Sequence, residues 1–388
     1  MNLRPQSVLH SLAGGFLCLA MVAGAQTSTT ETTPSSSAPA ATPAAAPVWS
    51  LGSIDFSGYV DGYYSYNFNK PGQTSAFGQV NQLYNFNDQT NQFNLEAFKL
   101  TLNHDADPVG VHVDLLFGRT NTFLHPVGDT SDNYIEQAYV NVKSKKGFEL
   151  DAGQFVTSAG QEVIETMNNW SYSHGILFGY AIPYYHFGLK TLMPVTKSWT
   201  TGVQLVNGWN NVTDNNGGVT IGLTSSLVKP KFTWNTNYYT GPELFNTQKG
   251  YRNLIDTTLL LTPTSKFSAY VNYDYGQQHA ATAKPLAGHS PHWQGVAVSA
   301  RGQVTSNAAV VARYEYFHDN QGFSTGLAQK LNEFTATYEY KWAAGLLLRT
   351  EYRRDWSNQT FFDKGDNGTV KAQSTVTAGL IAFFGPKR

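Results

Sequence analysis

The feature that most constrains this chain is a regular alternation of short and long gaps between segments of period two. From Ile54 to Phe68 the even positions are Ile, Phe, Gly, Val, Gly, Tyr, Tyr and Phe. The odd positions are Asp55, Ser57, Tyr59, Asp61, Tyr63, Ser65 and Asn67. One face is apolar and aromatic, the other polar, as in a strand whose two sides meet different surroundings. The same reading places strands near 93–104, 111–118, 134–143, 148–156, 184–193, 199–206, 218–226, 231–239, 251–262, 266–275, 293–303, 308–317, 330–341, 345–356 and 373–384. With the first, these make about sixteen. A change of phase at Ala97-Phe98 predicts a β-bulge. Short turns at 105–110, 144–147, 194–198, 227–230, 263–265, 304–307 and 341–344 alternate with long loops. The long loops fall near 69–92, 119–133, 157–183, 207–217, 240–250, 276–292, 318–329 and 357–372. Such a chain runs up and down, with tight turns at one end and long loops at the other. An even strand count puts both termini at the tight-turn end.

The polar face decides between architectures. It carries Asp55, Asp61, Lys99, Asp114, Asp151, Lys190, Arg252, Asp256, Asp274, Arg301, Arg313, Glu315, Glu333, Glu339, Arg349, Glu351 and Arg353. The opposite face is almost unbroken Val, Leu, Ile, Ala, Gly and aromatic residues. Charged residues are only 14% of the chain, against about a quarter in soluble domains. A sandwich would bury the apolar face, but about sixteen long strands exceed what one sandwich holds. A closed barrel turns that face to lipid, keeps a wet interior and leaves no strand edge unpaired. Aromatics gather at both ends: Phe56, Phe148, Trp199, Phe232, Phe267 and Phe384 at one, Tyr64, Tyr66, Phe117, Tyr238, Tyr275, Tyr316, Tyr352 and Trp356 at the other. Two such girdles are what membrane interfaces select. The expected fold is therefore all-β: a transmembrane antiparallel up-and-down β-barrel of about sixteen strands. Its lipid partner is a membrane. A net charge of -1 implies no nucleic-acid partner.

The chain divides into three parts. Residues 1–25 read as a signal peptide: Arg4 in the n-region, an apolar run from Val8 to Val22, and Ala23-Gly24-Ala25 before cleavage. The one cysteine, Cys18, lies inside it, so no disulfide framework is expected in the exported chain. Residues 26–48, rich in Ser, Thr, Pro and Ala, read as a flexible linker. Residues 49–388 form the barrel.

The candidate functional residues lie on the polar face and in the third long loop. In a ring of sixteen, strand five stands across from strand thirteen. The loop after strand five should therefore fold inward, opposite Arg313 and Glu315, with Arg349, Glu351 and Arg353 nearby. Ser158-Ala-Gly-Gln161 has a capping-box pattern, and Val163, Ile164 and Met167 follow at helical spacing. A short helix is predicted over 158–167, with Glu162 and Glu165 near one another on its surface. Those acids would face the arginines across a narrowed lumen and orient dipolar solutes. Lys190 and Arg301 are further pore-lining candidates. The competing arrangement pairs Arg313 with Glu315 and Arg349 with Glu351 along the wall.

Other motifs carry less. His104, His112 and Asp114 flank a tight turn without ligand spacing. The run from Asp363 to Gly368 misses the calcium-loop pattern and reads as a solvated loop. No G-x-S-x-G, H-E-x-x-H or P-loop pattern is present. Neither catalysis nor a cofactor is expected.

Three stretches resemble the OmpL-like β-barrel porin family of Gram-negative outer membranes. They are GQFVTSAGQEVIE, NWSYSHGILFGYAIPYYHFGLK and VNGWNNVTDNN. The resemblance spans roughly Leu51 to Phe384. It implies an outer-membrane channel and supplies no substrate. One departure concerns the C-terminus: many such barrels end on an aromatic, whereas here Phe383-Phe384 is followed by Gly-Pro-Lys-Arg. The combined expectation is a porin that passes small hydrophilic solutes by passive diffusion, as a trimer by analogy. Rival readings are a barrel serving as adhesin or structural element, an outer-membrane hydrolase, and a secreted carbohydrate-binding β protein.

Overall fold

In the computed structural model the described residues are 50–51, 53–72, 78–125, 133–279 and 290–385. The expected signal peptide and linker lie outside them. Sixteen strands form the wall: β1 (Ile54–Asn67), β2 (Gln92–His104), β3 (Val109–Phe117), β4 (Ile135–Lys143), β5 (Glu149–Val156), β6 (Tyr185–Thr196), β7 (Trp199–Val206), β8 (Thr220–Lys229), β9 (Phe232–Pro242), β10 (Tyr251–Thr264), β11 (Phe267–Gln278), β12 (His292–Gln303), β13 (Ala308–Asp319), β14 (Gln329–Ala343), β15 (Leu346–Ser357) and β16 (Ala372–Phe384). Each pairs antiparallel with its neighbours in the chain, and β16 pairs with β1 from Thr375–Asn67 to Phe384–Gly58. The sheet is closed. Every backbone donor along it can find a partner without water, which a bilayer demands.

Strand positions follow the two-residue period because successive side chains point to opposite faces. The bulge in β2 sits one residue from its expected place. Asp61 pairs with Ala97 and Gly62 with Leu95, leaving Glu96 as the extra residue. Glu96 and Ala97 are therefore both buried on the inner side. Outward side chains stay open: Leu205, Leu223 and Leu380 keep 46%, 48% and 47% of their surface. So broad an apolar exterior would be a liability in water and is at home against lipid. The inward charges form cross-strand rows. Arg313, Thr335 and Arg353 are register partners, and so are Glu315, Glu333 and Asp355 in the next row.

The apolar core of the molecule is inside the ring and is built by its loops. Leu83 and Phe86 from the first loop meet Leu124 of α1 (Arg119–Leu124) and Ile176, Leu177 and Phe178 of α2 (Ile176–Tyr180). The Phe86 ring stands 4.7 Å from His174 and 5.2 Å from Tyr184. The last long loop adds a hairpin of Phe362–Lys364 with Gly368–Val370. The stretch 363–368 is nonetheless largely solvated, as expected: Lys364, Asp366, Asn367 and Gly368 are exposed. Phe362 is buried and Asp363 accepts a 2.9 Å hydrogen bond from Gln82, which ties the base of the hairpin to the first loop.

Candidate functional site

Residues 157–184, between β5 and β6, touch the inner wall on every side. Ser158 accepts from Gln204 of β7 through its hydroxyl and from Asn237 of β9 through its carbonyl, both at 2.9 Å. The Tyr172 hydroxyl donates to Asp61 of β1 at 2.7 Å. Arg313 of β13 donates to the Ser173 carbonyl at 2.8 Å. Trp293 of β12 donates to the Ala181 carbonyl at 3.0 Å. A segment bonded at once to opposite walls lies across the interior between them.

The helix predicted over 158–167 does not form. Ser158 spends its hydroxyl on Gln204, while Thr157 accepts the Ala159 N–H in its place. Gly160 has φ +88, a left-handed conformation that ends any helix there. The Asn169 side chain then accepts from Val163 N–H and donates to its carbonyl, at 2.9 and 2.7 Å. These local partners replace the helical ones, and only a 3₁₀ turn at Thr166–Asn168 remains. The α-helix of the loop is α2, ten residues further on. Its opening N–H groups at Ile176 and Leu177 donate to Glu315. Gly175 makes this approach possible, since a Cβ there would stand 2.0 Å from the Glu315 carboxylate.

The acids and arginines meet differently from the expected layout. Glu162 touches Arg313 at 2.5 Å rather than facing it across open lumen. Glu165 faces no arginine: it pairs with Lys99 of β2, beside Asp114 at 2.8 Å and Glu136 at 2.6 Å. Without the helix, the two glutamates leave the loop toward different walls. The alternative, that the charges pair with neighbours on the wall, holds, but with shorter partners than the two pairs offered. Arg313 lies 3.8 Å from Glu315 but 2.9 Å from Glu333. Arg349 pairs with Glu339 at 2.7 Å and holds the Thr166 and Asn169 carbonyls at 2.5 Å. Glu351 instead accepts the backbone N–H of Tyr172 at 2.7 Å and that of Ser173. Arg353 pairs with Asp355 at 2.8 Å, donates to the His174 carbonyl at 2.6 Å and covers the Tyr84 ring at 4.1 Å.

Two candidates are only partly covered: Lys190, and Arg301, which shares Glu339 with Arg349. Lys190 pairs with Asp151 at 3.0 Å and Arg301 with Glu339 at 2.8 Å. Their side chains keep 17% and 22% exposure, while those of Arg313 and Arg353 keep none. Sequence reasoning marked Lys99 and Asp114 as inward but gave them no role. It missed Glu136, and it missed Tyr172 and Ser173 as the loop's docking residues. The available signal was the bulge, which turns Lys99 inward; nothing in the loop's own pattern pointed to Tyr172.

The oxygens of Asp114, Glu136 and Glu165 lie within 4.8 Å of one another, a spacing that suits a cation. Lys99 already supplies that charge from the chain itself. His112 is 3.1 Å from Asp114, whereas His104 turns to the Ser53 carbonyl at 3.0 Å. The three residues considered from sequence are thus not brought together as ligands.

A family model described as "Putative beta-barrel porin-2, OmpL-like" matches residues 53–384. The chain belongs to this family. It is an outer-membrane β-barrel with the architecture of a channel. Among solved structures, this OmpL-like barrel is similar to the outer membrane channel DcaP of Acinetobacter baumannii, at 13% identity and TM-score 0.57, covering 87% of this chain and 99% of that one. It is also similar to an anion-selective porin from Comamonas acidovorans, at 11% identity and TM-score 0.58, covering 86% and 99%. A third is the trimer form of OmpT, an outer membrane protein of Vibrio cholerae, at 13% and 0.56, covering 85% and 99%. At such identities the likeness is one of fold. No curated protein sequence matches the chain.

Proposed function

We propose that the OmpL-like barrel is a passive channel for small hydrophilic solutes, narrowed by the third loop. The observation that carries this is the docking of 157–184 onto opposite walls through Arg313, Arg349, Glu351 and Arg353. Those charges hold the loop, so they are not the ones that greet a solute. Lys190 and Arg301 remain partly open to solvent and set charge preference below the constriction. The barrel acts without enzymatic chemistry. By analogy with the OmpT trimer form, it assembles as a homotrimer in outer-membrane lipid.

Planar-bilayer recording tests the reading. Stepwise openings are expected, with a reversal potential in asymmetric salt that moves toward cations in Lys190→Gln plus Arg301→Gln. An unmoved reversal potential would remove these residues from selectivity. A second reading rests on the same packing. Complete burial of Arg313 and Arg353 suits a sealed barrel whose long loops serve as an adhesive surface. Silent membranes containing folded protein would favour it.

A further inference from the structure

At the long-loop end, the first, third, fourth and seventh loops enclose a cavity of about 250 Å³ with the first residues of β10 and β12. That is slightly below the usual range of small-molecule pockets, roughly 300–1,000 Å³. Its lining mixes five aromatic rings with Asn85, Asn210, Arg252 and Ser324. Trp293 and Phe323 stack at 5.3 Å with planes 14° apart, and Trp209 meets Trp293 edge-on at 6.2 Å. Arg252 lies over both Trp209, at 4.8 Å, and Phe323, at 5.2 Å.

Arg252 is the charged residue of this lining. Arg252 donates through Nε to Gln278 at 3.0 Å, and among the described residues it forms no ion pair. The Trp209 indole N–H is buried with no acceptor. Asn210 spends its side-chain oxygen on the Tyr184 and Tyr185 N–H groups, at 2.7 and 3.3 Å. The nearest acid, Glu243, has its oxygens taken by the Thr220 hydroxyl and the Trp209 backbone N–H, at 2.5 and 2.9 Å. Burial pushes its carboxyl above the ordinary range, while the charge of Arg252 draws it back down.

A guanidinium fixed between ring faces, with its fork unpaired, suits a carboxylate. The flanking rings suit a flat apolar body joined to it. We propose that this cavity is a binding site for small organic anions that carry a planar apolar group, placed at the long-loop mouth of the barrel. It deepens the channel reading by naming a solute class.

Benzoate is the probe, with benzamide as its uncharged counterpart and acetate as the charge without the ring. Isothermal titration uses the full barrel in detergent, with folding checked by heat-sensitive mobility. Saturable benzoate binding is expected, with benzamide and acetate about tenfold weaker or worse. Arg252→Gln should weaken benzoate about tenfold and leave benzamide unchanged. Arg252→Lys should restore part of the loss. No saturable benzoate binding by the folded wild type overturns the proposal. So does equal affinity for benzoate and benzamide, which decides the matter even where Arg252→Gln fails to fold. Parallel conductance keeps the readings separate. Openings without benzoate binding sink the site and leave the channel; binding without openings does the reverse.

Discussion

The lumen has two electrostatic zones, and they differ in what their charges touch. At mid-height, Arg313 and Arg353 have no exposed side-chain surface and bond to the third loop. Lys190, paired with Asp151, and Arg301, which shares Glu339 with Arg349, keep part of their surface open. Both zones carry the same residue types on the same face of the same kind of strand. The difference lies in coverage. A charge covered by a loop is committed to holding it, because a buried ion is stable only while fully paired. A charge left in water can act on what passes.

This contrast predicts unequal costs. Arg313→Leu should have the largest effect, since it strands Glu162 and Glu333 in a buried site. A loss of about 3–5 kcal/mol is expected from unfolding in denaturant, and a loss under about 1 kcal/mol would deny that the zone is structural. Glu351→Gln keeps the shape but removes a charged acceptor from two backbone N–H groups, at about 1.5–3 kcal/mol. Its channels should also open more widely in bilayer recordings. Gly175→Ala should cost about 1–3 kcal/mol by overpacking against Glu315, and a neutral outcome would mean that α2 is free to shift. Arg301→Gln should sit at the small end, under about 1 kcal/mol, yet still displace the reversal potential. If Arg301→Gln destabilised the barrel as much as Arg313→Leu, the two zones would be one.

The wall was legible because a strand with unlike faces writes its period into the sequence. Ends of β1, β7 and β16 fall within a residue of the positions read from alternation alone. The loop was less legible because its conformation is set from outside. Ser158, Glu162 and Val163 follow a helical pattern, but Gln204, Arg313 and Asn169 offer stronger partners than the next turn would. Those partners come from distant strands, and no local window contains them. The same holds for Glu165, whose cation, Lys99, is fixed by a bulge in β2. The Arg252 cavity was invisible for a related reason: its rings come from separate loops that only closure of the barrel brings together.

The central claim is that the third loop sets the open cross-section. Val156 and Tyr185 are register partners, so the strand ends stand side by side without the loop. Replacing residues 162–180 with a short Gly-Ser turn should therefore leave the wall closed. Single-channel conductance of that variant is the most direct measurement. A several-fold increase over the intact barrel is the predicted result, and an unchanged conductance from folded protein would contradict the account.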